Sequence, residues 1–253
     1  MKDKHSLEIL EMIKTVLKKY NLNGIARQLY KKLWIINRNI IRPDKKIIKN
    51  YFNCIGLKKL HIGCGENIFD GWLNADLKPT VNNVIGINAA KKFPFDSESF
   101  DYVYSEHMIE HISYIQGQKM LKESFRVLRE NGKIRISTPD LAFLVDLYRD
   151  DKSDVQNEYI EWATKKFISS APCNMDTFVI NNYVRDWGHT FIYDEKVLRH
   201  SLDQAGFKDI TRCNINESKD KNLQYLENDT KEPKGFLKME TVTLEGIKKN
   251  TVC

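Results

Sequence analysis

From residue 58 onward, short apolar runs alternate with amphipathic stretches. Residues 58–62 form a short run with Leu60 and Ile62 that stops at glycine, residues 72–77 and 84–87 are further short runs, and residues 100–105 alternate and are rich in aromatic and β-branched side chains. A helical stripe of Met120, Leu121, Phe125 and Leu128 runs through residues 115–129, and Asn131-Gly132 reads as its stop. Residues 133–138 then read as a strand ended by Pro139. Residues 195–205 read as a helix stopped by Gly206, and residues 207–213 and 239–247 as closing strands around a polar loop at 217–234. Strands alternating with helices imply parallel pairing through helical crossovers, an open α/β sheet.

Two segments depart from this rhythm. Residues 140–190 are partly helical and carry Trp162, Phe167, Phe178, Tyr183 and Trp187. They read as a lid inserted over the carboxyl ends of the strands, where open α/β sheets bind ligands. Residues 6–38 show helical spacing in Leu7, Leu10, Leu17, Ile25, Leu29 and Leu33, broken at residues 21–24, and residues 45–52 read as a short helix leading inward. The expected division is a basic helical extension over residues 1–50 and an α/β domain over residues 51–253 with its lid at 140–190.

Composition adds constraints. The chain is 42% hydrophobic over 253 residues, which suffices for one domain with a substantial core and an appendage. Of its net charge of +6, the excess sits at the start, where residues 1–59 hold 15 Lys/Arg against 4 Asp/Glu. That arm is a candidate homodimer or membrane-surface contact. No run is long and apolar enough for a membrane span or a signal peptide, so a cytoplasmic location is expected. Five scattered cysteines without C-x-x-C spacing argue against a disulfide scaffold or a zinc-cysteine site, and no metal is expected.

Candidate chemistry begins at Gly63-Cys64-Gly65, where a strand runs directly into two glycines. Such a turn brings backbone close to a ligand. A dinucleotide fingerprint would place a third glycine where Ile68 stands, so a nucleoside ligand without phosphates fits better. Asp76 ends the next strand, where an acid can accept hydrogen bonds from both ribose hydroxyls.

These segments, followed by Phe93-Pro94-Phe95, Glu106-His107, Arg126-Val127-Leu128 and Pro139-Asp140, resemble the class I S-adenosylmethionine-dependent methyltransferases. They are most similar to the branch associated with surface-polysaccharide and nucleotide-sugar modification. The resemblance covers residues 58–140 and continues more weakly to Gly206-Phe207. It implies a Rossmann-like seven-stranded, mostly parallel sheet with an antiparallel last strand and helices on both faces. It further implies S-adenosylmethionine as cofactor, with Gly63, Cys64 and Gly65 under its methionine and ribose. Asp76 would lie on the ribose hydroxyls, Asn88 and Ala89 beside adenine, and Glu106 and His107 at the methyl group. His61 stands where many relatives carry an acid that holds the cofactor's ammonium group. The segment between Gly65 and Asp76 is short, so the usual first helix is expected to shrink to a loop.

An alcohol acceptor needs a base, and His189, His107 and His111 are the candidates, with Asp186 or Asp140 placed to orient the His189 ring. Asp140 and Arg185 are candidate substrate contacts, Arg185 for an anionic acceptor group, and Trp162, Tyr183, Trp187 and Tyr193 are candidates for stacking on a sugar ring. The expected acceptor is an oxygen of a sugar or glycan precursor, with another small molecule methylated at nitrogen, carbon or a phosphoryl oxygen as the alternative. A non-catalytic protein that binds the cofactor is a further alternative. The Asn/Asp-Pro-Pro-aromatic signature of base-amino methylation is missing, and no nucleic-acid partner is expected.

Overall fold

The computed structural model describes residues 44–249; the amphipathic stretch at residues 6–38 lies outside them. Seven strands, β1 Lys59–Ile62, β2 Leu73–Asp76, β3 Val84–Gly86, β4 Phe100–Glu106, β5 Leu128–Pro139, β6 Phe207–Cys213 and β7 Thr241–Lys248, form one sheet in the order β3-β2-β1-β4-β5-β7-β6. The first five pair in parallel, and β7 runs antiparallel to both β5 and β6. This is the Rossmann-like sheet with a reversed last strand. Strand order reverses between β1 and β4, which opens a crevice at their carboxyl ends.

Helices α1 Asp44–Asn53, α2 Tyr114–Val127, α3 Leu141–Leu147, α4 Asp154–Phe167, α5 Asp176–Arg185, α6 Glu195–Ala205 and α7 Phe236–Glu240 surround the sheet. Local chemistry sets their ends. Ser113 with Gln116 and Ser153 with Gln156 form capping boxes, each satisfying two otherwise orphaned donors at the starts of α2 and α4. Asp194 caps α6 through the Val197 amide at 2.8 Å, and Gly206 closes that helix in the left-handed region at φ +109°.

The helix read through residue 129 ends instead at Val127, where Leu128 turns extended. Asn131-Gly132 is therefore not a helix stop. β4 and β5 pair at Phe100 with Leu128 and resume at Tyr102 with Lys133, so the intervening residues bulge out with Asn131 at φ +63°. No helix separates β1 from β2, as the short Gly65–Asp76 spacing predicts.

The two faces of the sheet are covered by different means. On one, Leu60, Ile62, Val103, Ile134 and Ile136 meet Met120, Leu121 and Val127 of α2 and Leu198, Leu202 and Ala205 of α6. On the other, register aligns His61, Tyr104, Arg135 and Glu245 in one row across the sheet. Residues 214–229 cover this row: Leu223 and Leu226 pack with Trp72 and Tyr104, beside Phe69 and Tyr102. The fully buried Arg135 guanidinium donates to both Glu227 oxygens at 2.7 and 2.9 Å, to Glu245 at 2.6 Å, and to the carbonyls of Asn214 and Glu217. The polar loop read from the sequence is thus bolted to the sheet by a buried ion-pair network.

The segment read as a lid packs a small core of its own. Phe143, Leu144 and Leu147 of α3 pack with Tyr159, Ile160 and Ala163 of α4, Val179 and Tyr183 of α5, and Phe236 of α7. Among the described residues no helix is long and apolar enough to cross a membrane.

Candidate active site

The turn after β1 is shaped by its glycines. The amides of Gly63 and Cys64 both donate to the Ala75 carbonyl, at 2.8 and 3.0 Å, and hold the turn against β2. Gly63 lies at φ +73°, and a Cβ there would come within 2.2 Å of the Met108 side chain. Gly65 lies at φ +52° with open space where its Cβ would be, so the backbone there is bare to an approaching ligand. The Gly65 amide donates to Asp76 Oδ2 at 3.0 Å and the Lys78 amide to Oδ1 at 2.8 Å. Each carboxylate oxygen is oriented by one backbone donor and keeps a further lone pair.

A cavity of about 260 Å³ opens beside this turn. Its walls include His61, Gly63, Cys64 and Gly65 from the β1 end, Glu106 and His107 from the β4 end, and Asn228, Lys231 and Glu232 from the segment before α7. Burial pushes the Glu106 carboxyl up to about 7, against the opposing hydrogen bond from the Asn228 amide at 2.8 Å. His61 is pushed down to about 4 by burial; it bonds Asn74 at 3.2 Å and stacks on Phe69, so it enters the wall as a neutral ring. Burial raises the Cys64 thiol to about 12, which makes it a packing group and not a nucleophile.

A second cavity, of about 170 Å³, lies beside this smaller core. Tyr159, Trp162, Phe167, Tyr183 and Trp187 give it aromatic walls, and Glu232 and Glu240 place two carboxyls in them. His107 and Glu232 belong to the walls of both cavities, so the two spaces meet at these side chains. His107 sits at φ +43°, a strained backbone for a non-glycine residue, and its Nε2 lies 3.0 Å from Thr241 Oγ1. Burial and the neighbouring Glu232 both raise the Glu240 carboxyl, to about 8, and Tyr159 donates to it. Glu232 Oε2 is buried without a hydrogen-bond partner among the described residues.

The residues singled out from the sequence therefore separate into groups. The glycine turn, His61, Glu106 and His107 surround one cavity, with Asp76 behind the turn. Asn88 and Ala89 follow β3, with Asn88 exposed and its Oδ1 held by the Ala90 amide at 2.9 Å. Tyr183, Trp187 and His189 line the aromatic cavity. His111 is outside both linings, its ring 5.0 Å from that of His189. His189 is oriented by the Tyr183 carbonyl, 2.6 Å from its Nδ1, and by neither Asp140 nor Asp186.

Three substrate candidates line neither cavity. Asp140 is buried as the cap of α3, accepting from the Ala142 amide at 2.9 Å. Tyr193 is fully buried in the main core against Tyr114 and Phe191. Arg185 ends α5 exposed to solvent. Sequence reasoning missed Asn228, Lys231 and Glu232, because a polar stretch without periodicity carries no sign of what it covers, and missed Glu240, which was read into the closing strand but ends α7.

A family model described as a methyltransferase domain matches residues 75–136, from the end of β2 through α2 into β5. Over that segment, less than half of its length, the chain is similar to a methyltransferase domain. Of the two strands that flank the crevice, the matched segment contains β4, and β1 precedes it. No curated protein matches the chain. Solved structures similar to it include a SAM-dependent methyltransferase of Thermotoga maritima, at 14% identity and a TM-score of 0.45, covering 93% of this chain and 99% of the other. A SAM-dependent methyltransferase of Archaeoglobus fulgidus is similar at 14% identity and a TM-score of 0.45, over 86% and 94% of the two chains. Phosphoethanolamine N-methyltransferase 2 of Haemonchus contortus is similar at 16% identity and 0.41, over 83% of this chain and 53% of its own.

S-adenosylmethionine is the cofactor that the sequence resemblance implies, and the residues present fit it. The bare Gly65 backbone admits a ligand, Asp76 offers oriented acceptors to a ribose, and Asn67 places its amide at the cavity wall beside Glu106. A wall with several carboxyls also suits a positively charged donor.

Proposed function

We propose that this methyltransferase domain moves the methyl group of S-adenosylmethionine to an oxygen of a small, ring-shaped acceptor seated in the aromatic cavity. The observation that carries this reading is the shared wall of His107 and Glu232 between the glycine-turn cavity and the aromatic cavity. Bound cofactor supplies an electrophilic methyl on a sulfonium. The chain's own residues must align the acceptor, exclude water and take its proton.

Asp76 and Gly65 would hold the ribose end of the cofactor, Lys231 and Asn67 would serve its methionine carboxylate, and Glu106 would replace the acid missing at position 61 as partner of its ammonium group. Tyr183, Trp162 and Trp187 stack on the apolar face of the acceptor ring, and Glu232 and Glu240 accept hydrogen bonds from its hydroxyls. The Glu232–Glu240 pair is also the proton acceptor. Two adjacent carboxyls in a dry site share a proton and hold an affinity for it near neutrality, where a general base works best. His189 and His107, the histidines first considered for this step, are both held below the ordinary imidazole range by burial. A sugar ring is the acceptor class that the sequence resemblance adds to this chemistry.

Five aromatic rings with two carboxyls also suit an ammonium group, which makes an amine acceptor the second reading. Incubation of the full chain with methyl-labelled cofactor and separate pools of nucleotide sugars and small amines decides between them. Label in the sugar pool, lost in Glu240→Gln with unchanged cofactor affinity, is the expected result. Label confined to amines overturns the oxygen reading, and label in neither pool overturns both.

A further inference from the structure

We propose that Glu110, His111 and His189 form a binding site for a divalent transition-metal ion at the edge of the aromatic cavity. One carboxylate oxygen and two imidazole nitrogens of these residues all lie within 4.8 Å of one another. Glu110 is fully buried, and while its Oε2 accepts from Thr138 Oγ1 at 3.1 Å, its Oε1 has no hydrogen-bond partner among the described residues. A carboxylate oxygen left bare in the interior is costly unless something supplies the missing charge or donor. His111 Nε2 and His107 Nδ1 stand 3.8 and 3.9 Å from that oxygen. These separations are too long for hydrogen bonds. They are close to the spacing of about 3.3 Å that two ligands take around one tetrahedral zinc ion with bonds of roughly 2.0–2.1 Å.

The supporting contacts point the same way. The Tyr183 carbonyl lies 2.6 Å from His189 Nδ1, which fixes the proton on that nitrogen and leaves the Nε2 lone pair free. A metal-binding histidine is oriented by such a contact, and Thr138 does the same for the carboxylate. The two ligand-bearing segments are also stapled together. The Thr190 and Phe191 amides donate to the Glu110 carbonyl at 2.7 and 3.2 Å, and Thr190 Oγ1 to the His111 carbonyl at 3.3 Å. Trp187 at φ +58° and Gly188 at φ +80° make the turn that delivers His189.

Two imidazoles and one carboxylate favour zinc or another first-row divalent ion over magnesium or calcium, and they leave coordination positions open. His189 also lines the aromatic cavity, so an ion held there would be within reach of the acceptor and could hold one of its oxygens. That role rests on the proposed acceptor cavity; the binding of the ion does not.

The test is cobalt(II) titration of the chelator-treated full chain, followed by visible absorption and calorimetry. One ion per chain is expected, with ligand-field bands of nitrogen and oxygen coordination and without the charge-transfer band of a thiolate. His111→Ala and His189→Ala should each weaken uptake by more than the 10–100-fold that loss of a supporting partner brings. His200→Ala should change nothing, and Glu110→Gln serves where the histidine variants alter folding by circular dichroism. Absence of stoichiometric uptake, thiolate bands, or uptake unchanged in the folded histidine variants would overturn the site. Full uptake with no methylated acceptor would instead strike the acceptor reading alone.

Discussion

The two faces of this sheet hold their coverings by opposite physics, and they differ in what they do. The face under α2 and α6 is closed by apolar side chains such as Leu198 and Leu202, with few polar contacts to satisfy. The face under residues 214–229 is closed around Arg135, whose charge is fully buried and answered by Glu227 and Glu245. The first face gives stability. The second also places Asn228, Lys231 and Glu232 against the glycine turn, so a change in its polar network reaches the active site.

The sharpest way to break the comparison is to injure each face about equally. Glu227→Ala leaves Arg135 buried without its main partner and should cost about 3–5 kcal/mol. Leu202→Ala opens a cavity on the helical face at a cost of about 2–5 kcal/mol. Thermal denaturation should show similar losses for both. Calorimetry with S-adenosylhomocysteine should show weakened binding only for Glu227→Ala. Equal affinities in the two variants would mean that the loop does not complete the site.

Acid separates the faces next. Burial raises the Glu227 carboxyl, but hydrogen bonds and charge from Arg135, with donors from Asn216 and Ser137, outweigh it and hold the group below its ordinary 4.5. A depressed carboxylate stabilises the fold fully above its unfolded value, and that contribution fades as pH falls through the folded one. Stability measured by denaturant should therefore decline below about pH 4.5, and Glu227→Gln should flatten the decline. The smallest effect belongs to the helical face: Asp194→Ala removes the cap of α6 and should cost about 1 kcal/mol without touching ligand affinity.

The same contrast explains what could be read from the chain beforehand. Helix α6 was legible with its stop at Gly206, because apolar periodicity and a left-handed glycine are local signals. The glycine turn and Asp76 were legible because their chemistry is local to two strand ends. The covering of the second face was not, since Arg135 and Glu227 are separated by 92 positions and meet only in the fold. A clue existed in Lys133-Ile134-Arg135-Ile136, whose alternation of charge and apolar residue marks a strand with one polar face. Asn131-Gly132 misled for a related reason: the pair suits a helix end and a strand bulge equally well, and the pairing of β4 with β5 decides. The spacing His107-x-x-Glu110-His111 hinted at a cluster, but its completion by His189 depends on the staple at Thr190.

The most direct test is a crystal structure of the full chain with S-adenosylhomocysteine. The ribose should lie on Asp76, and the sulfur should point to the wall where His107 and Glu232 divide the two cavities. A nucleoside seated away from the Gly63–Gly65 turn, or a sulfur facing away from that wall, would contradict the assignment of both spaces.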